Sequence, residues 1–140
     1  MASAREKIEA EFENIELALA DLPKADSLSR LSALELAGAG AIIHNFYNGV
    51  ENVLKQLSIT KGFPIEQGPS WHSNLIETCL SNQTISMATG MMLRKYLAFR
   101  HFFSHGYSFD LNAKRMIPLI EKIRETYSSF KRDIEKALKN

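Results

Sequence analysis

HNFYNGVENVLKQL, from His44 to Leu57, is the stretch on which the architecture turns. Phe46, Val50, Val53 and Leu57 recur at steps of four, three and four, so they line one face of an α-helix. Leu31 and Ile42 extend that face upstream, which predicts a helix opening at Asp26 or Ser27 and running to about Leu57. Gly38, Gly40 and Gly49 weaken helix propensity within it. Beside Ala37, Ala39 and Ala41, the first two glycines are expected to let a second helix approach closely.

The same period recurs on both sides. Upstream, Ile8, Phe12, Ile15, Leu19 and Leu22 form one apolar stripe that Pro23 ends. Downstream, ITKGFPIEQGPS is a loop, and Ser70 is placed to cap a short helix, WHSNLIETCL. SNQTIS then connects to a helix over Met87 to Ser104, with Gly106 as its C-cap residue. A last helix, from Asn112 or Ala113, carries Ile120, Ile123, Tyr127, Phe130, Ile134 and Leu138, and Pro118 should kink or delay its first turns. Sustained period-two alternation is absent. The expected fold is all-α, an up-and-down four-helix bundle with one additional short helix.

Composition narrows the class. A chain of 140 residues, 45% apolar and 24% charged, is expected to form one domain over 1–140 with a real core. No apolar run is long enough for a membrane span, and MASAREKIEA lacks a signal-peptide core. Cys79 is the only cysteine, which rules out an internal disulfide, fits a cytoplasmic location and reads as a packed, inert thiol. Residues 1–60 carry 9 acidic against 5 basic side chains, and residues 61–140 carry 7 against 12. Two solvated helix faces explain this asymmetry; a polyanion on the C-terminal half is permitted by it. Phosphate loops of the Walker or dinucleotide type and CxxC pairs are absent, which excludes enzymes built on them.

Chemistry concentrates in FRHFFSHGY, Phe99 to Tyr107. His101 and His105 are four apart, but Phe-Phe-Ser separates them, without the glutamate of a zinc helix or a third ligand, so no metal is expected. His44 and His72 are expected to be hydrogen-bonded, half-buried rings, and Trp71 a core or interface residue. Arg100, His105 and Tyr107 remain. Seven steps put Arg100 and Tyr107 on one helix face, whereas five steps set His105 about 140° from Arg100. A helix ending at Gly106, or a second copy of the chain, would bring His105 into the group.

Read as R-x4-H-x-Y, Arg100, His105 and Tyr107 resemble the signature of HEPN-domain ribonucleases, and closely that of HepT-type toxins. Those are small helical proteins paired with a minimal nucleotidyltransferase (MNT) antitoxin. HNFYNGVENVLKQL, with Glu51, is similar to the family's long second helix, and WHSNLI and the FRH and YSFDL flanks also match it, from Ala41 to Leu111. Many members carry Asn directly after the arginine, where this chain has His101, an auxiliary candidate that would act as a donor or as a second titratable group.

The residue types suit the reaction. RNA brings its own nucleophile, the 2′-hydroxyl, so its cleavage requires proton transfer and charge stabilisation without a cofactor. Histidine transfers protons near neutral pH, and arginine presents a planar fork to a phosphate transition state. The resemblance implies His105 in proton transfer, Arg100 on the phosphate and Tyr107 orienting it. It further implies an RNA substrate, with tRNA the natural guess, a 2′,3′-cyclic phosphate product, AMPylation of Tyr107 by the antitoxin, and a symmetric homodimer with two facing motifs. The competing readings are a non-catalytic HEPN-like dimer that binds a nucleotide or protein, and a DNA-binding regulator. The second is weaker, since the basic residues are dispersed and no short helix-turn-helix turn stands out.

Overall fold

The computed structural model describes residues 2–105 and 111–140. Five α-helices, α1 (Ala4–Ala20), α2 (Ala33–Lys61), α3 (Trp71–Ser81), α4 (Met87–Ser104) and α5 (Ala113–Lys139), are joined by loops, with no strand among the described residues. A 3-10 turn at Ala25–Arg30 links α1 to α2.

Serine caps set most of the starts. Ser3 and Glu6 open α1 by exchanging side-chain-to-backbone bonds, and Ser32 and Glu35 do the same for α2. The second box places the start of α2 at Ala33, later than the Asp26 or Ser27 expected from periodicity. Residues 25–30 instead wind as the 3-10 turn, pinned by the buried Leu28, while the Ser27 hydroxyl donates to the Lys24 carbonyl at 2.8 Å. Gly62, in the left-handed conformation, ends α2. The bounds of α3 and α4 fall where the sequence puts them, although the Ser70 side chain makes no capping bond. Pro118 does not delay α5, which starts at Ala113 with Asn112 Oδ1 accepting from the Lys114 amide at 2.9 Å.

Contact register shows the topology. Gly49 of α2 faces Ile15 of α1, and Asn52 donates to Glu11, so these two helices are antiparallel. Phe103 lies on His44 while Arg100 meets Asn48, which makes α4 antiparallel to α2. Thr89 meets Asp133 and Tyr96 meets the Leu119 carbonyl, making α5 antiparallel to α4. Phe12 packs edge-on against Tyr127 and Phe130 and closes the ring between α1 and α5. The four long helices are thus an up-and-down bundle. The short α3 runs parallel to α2, with His72 beside Glu51 and Cys79 beside Ser58.

The core draws on every helix, and from α2 it takes Ile43, Phe46, Val50, Val53, Leu54 and Leu57, all fully buried. Each such side chain is stabilised by about 1.5–3 kcal/mol relative to exposure. Cys79 is buried among them, its thiol pKa pushed up by desolvation, as an inert packed cysteine should be. The glycines divide unexpectedly. A Cβ on Gly40 would meet Leu111 and Phe103 at 2.9 Å, and one on Gly49 would meet Ile15 at 2.6 Å, whereas Gly38 has open space around it. Close approach is therefore the role of Gly40 and Gly49, and Gly38 has no part in it.

Candidate active site

The seam between α2, α3 and α4 encloses a chain of polar side chains. Helix α2 carries His44, Asn48, Glu51 and Lys55 at steps of four, three and four, a polar stripe beside its apolar one. Glu51 is only 3% exposed. A buried carboxylate needs partners, and its two oxygens find different ones: Oε2 lies 2.7 Å from Nδ1 of His72 on α3, and Oε1 lies 3.6 Å from Nε of Arg100 on α4. Arg100 Nε also donates to Asn48 Oδ1 at 2.8 Å, and the amide of Asn48 lies 3.3 Å from His44 Nδ1. Phe103 packs on the His44 ring, with centroids 5.2 Å apart. Burial, and then the charge of Arg100, lower the His44 pKa from its usual value.

Arg100 is consequently held by its inner nitrogen. A guanidinium fixed through Nε has its plane set, with the two outer nitrogens as a fork suited to a phosphate. His44 and His72 are the half-buried, hydrogen-bonded rings that the sequence predicts. Trp71 is half-buried too, packed at a tilt of 34° against His72 with centroids 3.7 Å apart and covered by Lys55 Nζ at 4.0 Å from the ring.

His105 sits elsewhere on the same helix. It is the C-cap of α4, its amide donating to the His101 carbonyl at 3.2 Å, and its ring lies 4.2 Å from that of His101. Both rings are exposed. Because α4 stays helical through Ser104, the five-residue step keeps Arg100 turned toward α2 and His105 toward solvent. The structure shows no contact between these two side chains of one chain among the described residues. Gly106 and Tyr107, on which the redirected helix end and the shared face depend, lie outside the described residues.

Among the described residues, no group of three or more His, Cys, Asp or Glu side chains is placed to hold a metal ion, and no helix is long and apolar enough to cross a membrane. A cavity of about 720 Å³ lies between α4 and α5, lined by Phe99, Leu111, Met116 and Leu119 with Lys95 and Arg115. It includes none of Arg100, His101 and His105. Asn48 and Glu51 are legible in the sequence as part of the polar stripe of α2, but the partners that give the stripe meaning, His72 and Arg100, come from two other helices.

The helical bundle thus holds one arginine in an inter-helix seam and leaves two histidines of the same helix exposed near its C-terminal end. The chain belongs to the HepT-like protein family, whose model matches residues 38–140. At family level this points to a HEPN-type ribonuclease toxin. Comparison with curated proteins and with solved structures finds no match.

Proposed function

We propose that the chain is a metal-independent endoribonuclease that cleaves RNA by attack of a 2′-hydroxyl on the adjacent phosphate. His105 takes the proton of that hydroxyl as the new O2′–P bond forms and the P–O5′ bond breaks; the 5′-oxygen takes a proton from water and leaves as a 5′-hydroxyl, and the other end is a 2′,3′-cyclic phosphate. Arg100 stabilises the charge that gathers on the phosphate oxygens. His101, beside His105, is a second titratable group at the same helix end. The observation that carries this reading is the hold of Asn48 and Glu51 on Arg100, which orients a phosphate-binding fork on the helix that ends in His105.

Within one chain Arg100 and His105 face apart, so the active pair is assembled in a homodimer whose two α4 ends meet. Tyr107 follows His105 by two residues, and on this reading it accepts AMP from an MNT nucleotidyltransferase antitoxin. Bulk and negative charge beside Arg100 would then disarm the enzyme. Transfer RNA is the proposed substrate.

The test is incubation of the purified chain with total tRNA in EDTA, followed by mapping of the ends. Cyclic phosphate termini are expected, with loss of about 100-fold or more in His105→Ala and in Arg100→Ala. Undiminished cutting by His105→Ala would sink the assignment, and binding of nucleotide or protein without cleavage would favour the non-catalytic dimer. For the antitoxin, intact mass after co-expression with the MNT partner should show AMP on the wild type and none on Tyr107→Phe.

A further inference from the structure

Glu51 poses a question that cleavage chemistry alone does not answer. It reaches Arg100 through Oε1 at 3.6 Å, yet its shorter bond, 2.7 Å, runs from Oε2 to His72. A carboxylate gripped at one oxygen cannot turn freely about its terminal bond, so the partner of Oε2 decides where Oε1 points. Arginine has only donors, and it takes the direction of its guanidinium from the acceptors that surround it. Those acceptors are Asn48 Oδ1 and Glu51 Oε1.

His72 is itself packed on its neighbours. It opens α3 beside Trp71, whose ring lies tilted against the imidazole, and Lys55 of α2 covers the indole at 4.0 Å. On the other side of α3, Arg94 of α4 is paired with Glu77 and lies 3.5 Å from the Ser73 hydroxyl. The first turn of α3 is therefore tied to both α2 and α4 around this one imidazole. From that turn His72 Nδ1 reaches Oε2 of Glu51.

We propose that His72 is a positioning residue: through Glu51 it fixes the direction in which Arg100 presents its guanidinium to a phosphate. The proposal rests on the ribonuclease reading for its effect on cleavage, but its geometric core does not, and the experiment separates the two.

The variants are His72→Phe, which retains a ring to stack on Trp71 but no donor, and His72→Asn, whose amide nitrogen falls near the place of Nδ1. Two readouts are taken on the full chain: the NMR signal of the Arg100 Nε–H group, and single-turnover cleavage of tRNA in EDTA. His72→Phe should broaden or lose the Nε–H signal and slow cleavage about tenfold, as expected for the loss of one well-placed charged hydrogen bond. His72→Asn should restore both. In a Glu51→Gln background His72→Phe should cost nothing more, because the two residues act as a unit.

A His72→Phe chain with an unchanged Arg100 signal, or losses that add independently to those of Glu51→Gln, would overturn the proposal. If the signal responds as expected but the wild type cuts no RNA, the positioning role stands and the ribonuclease reading falls. Should His72→Phe not fold, the pair His72→Asn and His72→Gln carries the comparison, since both are amides and only the first puts a donor at the Nδ1 position. Equal behaviour of those two would count against the proposal.

Discussion

Asn48 Oδ1 lies 2.8 Å from Arg100 Nε, and this one bond decides the state of a second histidine. Arginine only donates, so the Asn48 oxygen must face it and the Asn48 amide must face the other way, toward His44 Nδ1 at 3.3 Å. That nitrogen then accepts, which leaves His44 neutral with its proton on Nε2. Burial, and then the Arg100 charge, push the His44 pKa in the same direction. Geometry and electrostatics agree on a ring that resists protonation.

A pH dependence follows, with its sign. Because the folded pKa of His44 is depressed below the unfolded value of about 6.5, the unfolded chain takes up this proton first as pH falls. The stability it contributes is complete above that value and is lost as pH drops through the folded one. Thermal midpoints measured from pH 8 to pH 5 should fall more steeply for the wild type than for His44→Asn, whose amide oxygen falls near the place of Nδ1 and can still accept from Asn48 but does not titrate.

Asn48→Ala removes the shortest contact of the Arg100 guanidinium and leaves the apolar face of α2 untouched. The loss of a hydrogen bond to a charged group, about 1.5–3 kcal/mol, corresponds to a cleavage rate lower by roughly 10- to 100-fold. Cleavage kinetics together with the circular dichroism spectrum check this. The spectrum should stay helical while the rate falls.

Two glycines of one helix should respond oppositely to the same change. Gly38→Ala enters open space, and the better helix propensity should raise stability by about 0.5–1 kcal/mol. Gly49→Ala places a methyl 2.6 Å from the side chain of Ile15, itself buried in the core, and should cost about 1–3 kcal/mol as α1 is forced away. Urea denaturation of the two variants measures both. A Gly49→Ala chain as stable as the wild type would contradict this close approach of α1 and α2.

Tyr47 is fully buried, and its hydroxyl has no hydrogen-bond partner among the described residues. Desolvation first, and then the neighbouring Glu51 charge, push its pKa far upward, so the phenol stays neutral. Tyr47→Phe removes an unsatisfied polar atom without changing ring packing. A gain of about 1 kcal/mol is expected, visible as a higher thermal midpoint.

Helix identity was local and so could be read directly. The three-and-four spacing of Ile8, Phe12, Ile15 and Leu19, or of Ile120, Ile123, Tyr127 and Phe130, states the helix and its inner face together, because an apolar stripe has no other way to leave water. Starts were less legible. Ser32 outcompeted Asp26 and Ser27 because Glu35, three residues on, returns its bond, a pairing that counting apolar positions does not weigh.

The motif residues Arg100 and His105 were visible as residue types, and the family match over residues 38–140 agrees with the HepT resemblance that they carried. What only the tertiary structure decided is which way each of them points. Glu51 and His72 are 21 residues apart and Asn48 and Arg100 are 52 apart, and each meeting depends on how α2, α3 and α4 pack. A helix fixes the angle between its own side chains; the direction of that whole face is set by the burial of Phe46, Tyr96 and their neighbours, which turns Arg100 inward and leaves His105 in the open.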